Sequence, residues 1–441
     1  MTTNVTRRHI LQAGTQTAAV LAAAQAMPGV FAAETSKPET VNLGLIGCGS
    51  IMNHHLKGLV SRKEAVSISW LCDVDSAQVD RTAKNMAGFQ PKEAKRTAEF
   101  EDVLTDPDVD AVVVATPHHW HAPIAIAAMA AGKDVYLEKP ISHVYDEGHA
   151  IIRAAKKYQR VVQQGSQMRN SPVTDRAGKL LADGVIGEIK IAKAWTAEMR
   201  NTVKPVADSA APEQVNYDRW LGPAPKRPFN QHRFHGTWRM FRDYANGEIG
   251  DDGIHDIDMA CWGLGVDSAP TQITARGSRM MLHGHASEYP DNMNVSWQFA
   301  DGRLLIYENY PFTSYGIHGF DNGNIFYGTE GYMIFSRRGA FRVFLGPKSE
   351  PGPTEGDVRS ERGYAEHMAE FLNAVRTRDL HTKARPEVAH RSCALVHLAE
   401  IAFRTEGRLD LDPATERFKD CDEANALLSK AYRDPYRLPS V

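Results

Sequence analysis

Apolar residues follow two rhythms along this chain. From Val41 onward, short continuous apolar runs alternate with longer amphipathic stretches. The runs Val41–Ile46, Val66–Cys72, 110–115, Asp134–Leu137 and 161–164 read as strands. Between them, a stretch to about residue 61 and the segments 76–86, 122–131 and 146–158 carry helical periodicity. Runs of four to seven apolar residues separated by helices mean βαβ units and a parallel sheet buried on both faces. After residue 166 the rhythm changes. Segments 189–195, 272–281, 294–299, 303–307, 324–327 and 332–335 read as strands, with Ala300-Asp301-Gly302 and Gly328-Thr329-Glu330-Gly331 as hairpin turns. That pattern predicts a second, mostly antiparallel sheet. Segment 350–361, rich in proline, glycine and charge, reads as a surface loop. Helices are predicted over 364–377 and 387–403, and the tail from Leu411 is expected to wrap the surface.

The first residues have a different logic. Thr6-Arg7-Arg8-His9-Ile10-Leu11, an alanine-rich run from Ala18 to Ala24 and the small-residue site Val30-Phe31-Ala32 resemble a twin-arginine signal peptide over residues 1–33. The run is too short and too polar to span a bilayer, so no membrane anchor is expected in the mature protein. The organisation predicted is therefore a leader (1–33), a doubly wound parallel Rossmann domain (38–165) and a second sheet domain (166–441). Export through the twin-arginine machinery implies a periplasmic or otherwise exported protein.

Composition narrows the partners. A net charge of −3 gives no electrostatic reason to expect nucleic acid or an anionic membrane. Cys48, Cys72, Cys261, Cys393 and Cys421 form no CxxC pair, which suggests neither a zinc site nor a disulfide framework.

The candidate chemistry begins at Gly44-Leu-Ile-Gly47-Cys-Gly49-Ser50-Ile51-Met52, between the first strand and its helix. Gly47 suits a tight turn, Gly49 leaves room for a pyrophosphate, and the helix N-terminus offers free N–H groups. Met52 stands where the usual pattern has its third glycine. Asp73, at the end of the second strand, can accept both ribose hydroxyls of an adenosine, and no arginine follows it directly to welcome a 2′-phosphate. NAD is therefore expected over NADP.

Two further segments carry a family resemblance. Ala115-Thr116-Pro117-His118-His119-Trp120-His121, followed by Glu138-Lys139-Pro140, and then Gly250-Asp251-Asp252-Gly253-Ile254-His255-Asp256-Ile257-Asp258, resemble the glucose–fructose oxidoreductase / inositol dehydrogenase (Gfo/Idh/MocA) family. The resemblance spans Val41 to the C-terminus. It implies a Rossmann domain plus an open-faced antiparallel sheet domain that commonly mediates oligomerisation, hence a homodimer or homotetramer. It also implies an NAD(P)-dependent oxidoreductase acting on a hydroxyl carbon of a sugar, polyol or glycoside.

Residue by residue, Lys139 lies just past a parallel strand, on the edge where such sheets bind ligands. A partly desolvated ammonium beside a cationic nicotinamide is expected to have a lowered pKa and to exchange a proton with a substrate hydroxyl. Asp251 and His255 are spaced to share one face at a helix start. The resemblance makes His255 the general base, with Lys139 assisting and Asp251 orienting substrate. The alternative is a satisfied helix start with Asp251 as cap, and Asp258 reads better as structural than catalytic. Thr116, Pro117, His118, His121 and Glu138 join Gly47, Gly49, Ser50, Ile51, Asp73 and Lys139 as expected cofactor contacts. A metal reading of His118, His119 and His121 finds no cysteine or carboxylate to complete a set. Gln167 and Arg169 are candidates for substrate contact or for bonds between domains. Trp220, Trp238 and Arg239 give a weaker hint of sugar stacking.

An exported enzyme that depends on NAD is expected to hold its cofactor tightly and to run redox-neutral chemistry. NAD-dependent glycosidases share the architecture and work through a transient keto-sugar, but their pattern is without the Glu-Lys-Pro triplet kept here. A non-catalytic sensor would be expected to have lost Lys139 or His255.

Overall fold

The computed structural model describes residues 40–198, 203–280, 283–310, 316–356, 362–405 and 407–441. The twin-arginine leader expected over residues 1–33 lies outside the described residues.

The first sheet is built from β1 (Val41–Ile46), β2 (Val66–Cys72), β3 (Lys95–Thr97), β4 (Ala111–Val114), β5 (Asp134–Leu137) and β6 (Val162–Gln164), crossed by helices α1 (Ser50–Val60), α2 (Ser76–Asn85), α3 (Phe100–Thr105), α4 (His121–Ala130) and α5 (Tyr145–Tyr158). Its order is β3-β2-β1-β4-β5-β6 and every pairing is parallel. Helices on both faces explain why the strands read as unbroken apolar runs: all four residues of β4 are buried. The chain order reverses between β1 and β4, so the crevice beyond their carboxyl ends is the place where such sheets take a ligand. The glycine turn after β1 stands there. Met52 is fully buried in the core beneath it. The short strand β3 has no apolar run, since Lys95 and Arg96 are exposed, and the sequence pattern does not predict it.

Helix α6 (Pro172–Ala182) leads into a second sheet of ten strands. These are β7 (Ile189–Thr196), β8 (Gln272–Ser278), β9 (Asn292–Gln298), β10 (Leu304–Asn309), β11 (Asn322–Gly328), β12 (Gly331–Ser336), β13 (Ala340–Leu345), β14 (Glu350–Glu355), β15 (Arg408–Asp412) and β16 (Arg417–Phe418). All neighbours run antiparallel except β7 and β10. Helices α7 (Tyr217–Leu221), α8 (Ile254–Leu264), α9 (Tyr364–Thr377), α10 (Pro386–Arg404) and α11 (Asp422–Ala426) complete the chain. Helices α8 and α10 cover one sheet face, where Trp297, Tyr307, Phe326 and Phe335 are buried. Lys193 and Glu308 form a 2.8 Å ion pair on the other face, where Tyr327 is exposed.

One expectation is corrected. Residues 350–355 form edge strand β14 rather than a loop; Pro351 and Pro353 are tolerated because an edge strand has one side that pairs with no strand among the described residues. The C-terminal tail runs over the surface and is pinned to it at a few points. Leu411 and Leu428 are fully buried, Lys430 pairs with buried Glu147 at 2.8 Å, and Tyr436 packs edge-on against Trp120. All five cysteines are free.

Candidate active site

The glycine turn is fixed by sterics. Gly47 has φ +86°, and a Cβ there would lie 2.7 Å from the carbonyl of Ala115 on the neighbouring strand. Gly49 precedes α1, and a Cβ on it would meet nothing within 4 Å, so it guards open space. No side chain caps α1 and its first turn carries no acid, which leaves its N–H groups and positive dipole end to a ligand. Asp73 accepts hydrogen bonds from the Cys48 N–H (2.7 Å) on one oxygen and the Asp75 N–H (2.9 Å) on the other. Each oxygen keeps a lone pair, and burial lifts the carboxyl pKa to about 6.

Two lobes form one cleft. The outer lobe, about 310 Å³, is lined by Gly47, Gly49, Asp73 and Pro117; the inner, about 300 Å³, by His118, Glu138, Lys139 and Asp251. Ser50, Ile51, Thr116, Trp238 and Arg239 line both, so the lobes are continuous. A glycine turn, an uncapped helix and an acid with free lone pairs along one groove fit the pyrophosphate and ribose of a dinucleotide.

At the inner end, the Lys139 ammonium donates to Asp251 Oδ1 at 2.9 Å and also to the Asp251 carbonyl. Arg239 Nε donates to the same Oδ1, again at 2.9 Å. Burial opposes charge on Asp251, but the two cations beside it hold its carboxyl well below the usual range. Asp251 sits in a π-turn, Ile249–Gly253, that runs directly into α8, so it is inside the helical segment and not its cap. Glycines make this turn possible. A Cβ on Gly250 would lie 2.4 Å from the Asn246 side chain, and one on Gly253 the same distance from the Tyr307 hydroxyl.

His255 follows on α8. Burial, then Lys139 and Arg337, push its pKa down to about 3, against the pull of Asp252 and Glu138. Its imidazole is thus neutral at ordinary pH, and it shares one electrostatic environment with Lys139. Glu138 resists its burial because His55 Nε2 lies 2.7 Å from Oε1, which with Lys139 and His255 nearby keeps its pKa at about 2.

Other sequence-predicted residues stand elsewhere. His121 lies behind the cleft wall, with Nδ1 2.6 Å from the Pro140 carbonyl and Nε2 2.9 Å from that of Thr116. It braces two backbone segments rather than facing a cofactor. Arg169 makes a two-pronged ion pair with Asp258, 2.8 Å on each branch, and Ser392 donates to the same carboxylate. This gives Asp258 its structural role and takes Arg169 away from substrate. Gln167 is buried, with its amide 3.4 Å from the Tyr136 hydroxyl, and does not line the cleft. Trp238 and Arg239, weak hints in the sequence, are central. His55, Arg337 and Tyr364 lie in segments far apart in the chain with no local pattern to mark them, and Asp252 stands within the Gly250–Asp258 motif without a role that the motif assigns.

A dinucleotide groove on a Rossmann sheet, closed at its inner end by a lysine–aspartate pair, with the neutral His255 one turn further along α8 and not in the lining of either lobe, defines an NAD-dependent oxidoreductase. Residues 41–166 match the NAD-binding Rossmann fold of the Gfo/Idh/MocA oxidoreductase family, and residues 188–438 match its C-terminal alpha/beta domain. The chain belongs to that family. It is similar to levoglucosan dehydrogenase of Pseudarthrobacter phenanthrenivorans, 25% identical over 352 residues, which are 70% of this chain and 81% of that enzyme. It is also similar to alpha-N-acetylgalactosaminidase of Shewanella oneidensis, 31% identical over 176 residues, but these span only 36% of this chain and 38% of the other. Among solved structures, aldose-aldose oxidoreductase from Caulobacter crescentus shares the fold at TM-score 0.63 and 19% identity, covering 84% of this chain and 100% of the other. Levoglucosan dehydrogenase in complex with NADH and levoglucosan does so at 0.62 and 21%, covering 86% and 99%.

Proposed function

We propose that this protein is an exported, periplasmic oxidoreductase that moves a hydride between NAD and a hydroxyl-bearing carbon of a sugar or polyol, with the cofactor retained through turnover. The observation that carries the reading is the 2.9 Å Lys139–Asp251 pair at the inner end of the cleft, with His255 in electrostatic reach. Bound nicotinamide supplies the hydride chemistry. The chain's own residues handle the proton. His255, neutral at working pH, takes the proton of the substrate hydroxyl; Asp252 and Glu138 offset only part of the cost that burial, Lys139 and Arg337 place on its imidazolium, so the proton must pass on quickly. Lys139 donates to the developing alkoxide or carbonyl oxygen, while Asp251 and Arg239 hold its ammonium in place. The sugar assignment is supported by the dehydrogenase and aldose oxidoreductase names among the relatives. NAD over NADP is supported by Asp73, whose carboxylate would repel a 2′-phosphate.

Retention of the cofactor is motivated by the twin-arginine leader, since that route carries folded proteins away from the compartment where NAD is recycled. The resemblance to oligomeric family members supports a homodimer or homotetramer. The second reading, an NAD-dependent glycosidase, is favoured by the 31% identity to the galactosaminidase within a limited stretch and opposed by the intact Glu138-Lys139-Pro140. Purified protein challenged with free sugars, polyols and aryl glycosides in added NAD separates the two. NADH formed from free sugars supports the oxidoreductase. Aglycone release without net NADH moves the assignment to the glycosidase, and silence toward both classes would sink each.

A further inference from the structure

The segment between β7 and α8 does more than connect them. Its short helical turn His235–Met240 lies across the cleft and contributes His235 and Gly236 to the outer lobe, with Trp238 and Arg239 to both lobes. Its two ends are tied to opposite ends of the cleft. At the outer end, His235 Nε2 lies 2.8 Å from Asp75 Oδ2. Asp75 also caps α2 through the Ala77 N–H and gives its own N–H to Asp73, the acid expected to hold the adenosine ribose. At the inner end, Arg239 reaches Asp251, the partner of Lys139, while Trp238 stands edge-on to His118 at 4.9 Å.

The flanks of this turn are anchored independently. Before it, the Asn216 N–H donates to the Val74 carbonyl (2.8 Å), Arg219 pairs with Glu99 (2.8 Å), and Arg433 of the tail holds Asp218 (2.8 Å). After it, the Arg242 N–H donates to Glu288 at 2.8 Å. The turn itself is not held by backbone preference. His235 has φ +33°, in the left-handed region that non-glycine residues adopt at a cost, and Gly236 breaks the helical geometry beside it. Its contacts keep it down.

We propose that His235–Met240 is a strap over the dinucleotide, latched by His235–Asp75 at one end and Arg239–Asp251 at the other, and that its lifting sets the rate of NAD release. This deepens the retained-cofactor reading above and rests on it. A ligand lying between Gly49 and Lys139 passes beneath the strap and leaves only when at least one latch opens. Because the inner latch is built on Asp251, an opened strap also disturbs the acid that positions Lys139, so the enzyme that releases its cofactor is not the enzyme that reacts.

The test is the displacement of bound NADH by excess NAD, followed by fluorescence, in the full chain. His235→Ala should speed release about tenfold or more, while His235→Gln, which keeps a donor toward Asp75, should stay within about threefold of wild type. Asp75→Ser removes the group that faces His235 but keeps a hydroxyl to cap α2, so it should speed release as His235→Ala does with the helix start intact. Release from both His235→Ala and Asp75→Ser within about twofold of wild type would overturn the strap. Loss of NAD from the wild type on gel filtration would count against permanent retention instead, and the ratio of variant to wild-type release would still decide the latch.

Discussion

In the six-stranded sheet helices cover both faces and β4 exposes nothing, whereas in the ten-stranded sheet helices cover one face, and the other buries Trp195, Ile325 and Ile334 with Phe320 but shows Lys193, Glu308 and Tyr327. The two also serve the cleft differently. The first offers mainly backbone: a glycine turn, an uncapped helix and an acid fixed by two N–H groups. The inner end adds side chains from both halves: Glu138 and Lys139 follow β5 of the first sheet, while Asp251 comes from the π-turn, with His255 behind it on α8. Backbone recognition tolerates few changes and suits a ligand shared by many enzymes. Side-chain recognition can be altered one residue at a time, which suits a substrate that varies. Cofactor grip and proton chemistry should therefore fail separately.

The largest separation is expected at Lys139. Lys139→Met removes the proton donor and leaves Asp251 to Arg239 alone, so kcat/KM should fall by about 10³ or more, while NADH affinity by fluorescence titration moves less than about threefold. A parallel loss of NADH affinity would erase the division of labour. Gly47→Ala probes the other side. Its Cβ would lie 2.7 Å from the Ala115 carbonyl at a φ of +86°. NAD affinity should drop by roughly 10²-fold with a stability loss of about 1–3 kcal/mol, yet turnover at saturating NAD should stay within several-fold of wild type.

A smaller effect should follow from Asp73, whose carboxyl pKa is lifted by burial to about 6. Only the ionised form accepts from both ribose hydroxyls. As pH falls through about 6 the carboxyl gains a proton, and NAD affinity should weaken by several-fold between about pH 7.5 and pH 5. Asp73→Asn should bind more weakly at every pH and lose that dependence. A wild type whose NAD affinity is flat over the same interval would show that Asp73 does not hold the ribose.

The doubly wound half is legible in the sequence because both its signals are local. Val41–Ile46, Val66–Cys72 and Asp134–Leu137 are unbroken apolar runs, and the structure forms strands over those residues. The glycine turn and Lys139 announce themselves by contiguous motifs. The rest depends on long-range partners. Pro351 and Pro353 argue against a strand until an edge is available to seat them. His121 looks like its neighbour His118 in the text, and only the carbonyls of Thr116 and Pro140 on either side of its ring show that it braces the wall. Arg169 suits a substrate until Asp258 is found opposite it. Arg337 and Tyr364 reach the same neighbourhood as His255 through chain reversals that no local pattern encodes.

The last test reaches below the cleft and should touch turnover least. Asp256, beside His255 on α8, is fully buried against the second sheet, and Oδ1 has no hydrogen-bond partner, although Arg337 Nε lies 3.4 Å from it. Burial lifts its pKa to about 8, with Arg337 opposing. The folded protein thus keeps a proton that the unfolded chain releases near pH 4, so folding loses stability as pH rises from about 4 to about 8 and no further above that. Asp256→Asn keeps the shape and removes the titration. The variant should melt above the wild type at pH 8, by up to about 5 kcal/mol, and the gap should close toward about pH 4. The comparison of two proteins at each pH cancels every other titrating group common to both. If the two melting curves track each other across the whole interval, Asp256 is ionised in the folded state and Arg337 neutralises it fully, which would make that arginine part of the frame of the second sheet rather than a charge acting on His255.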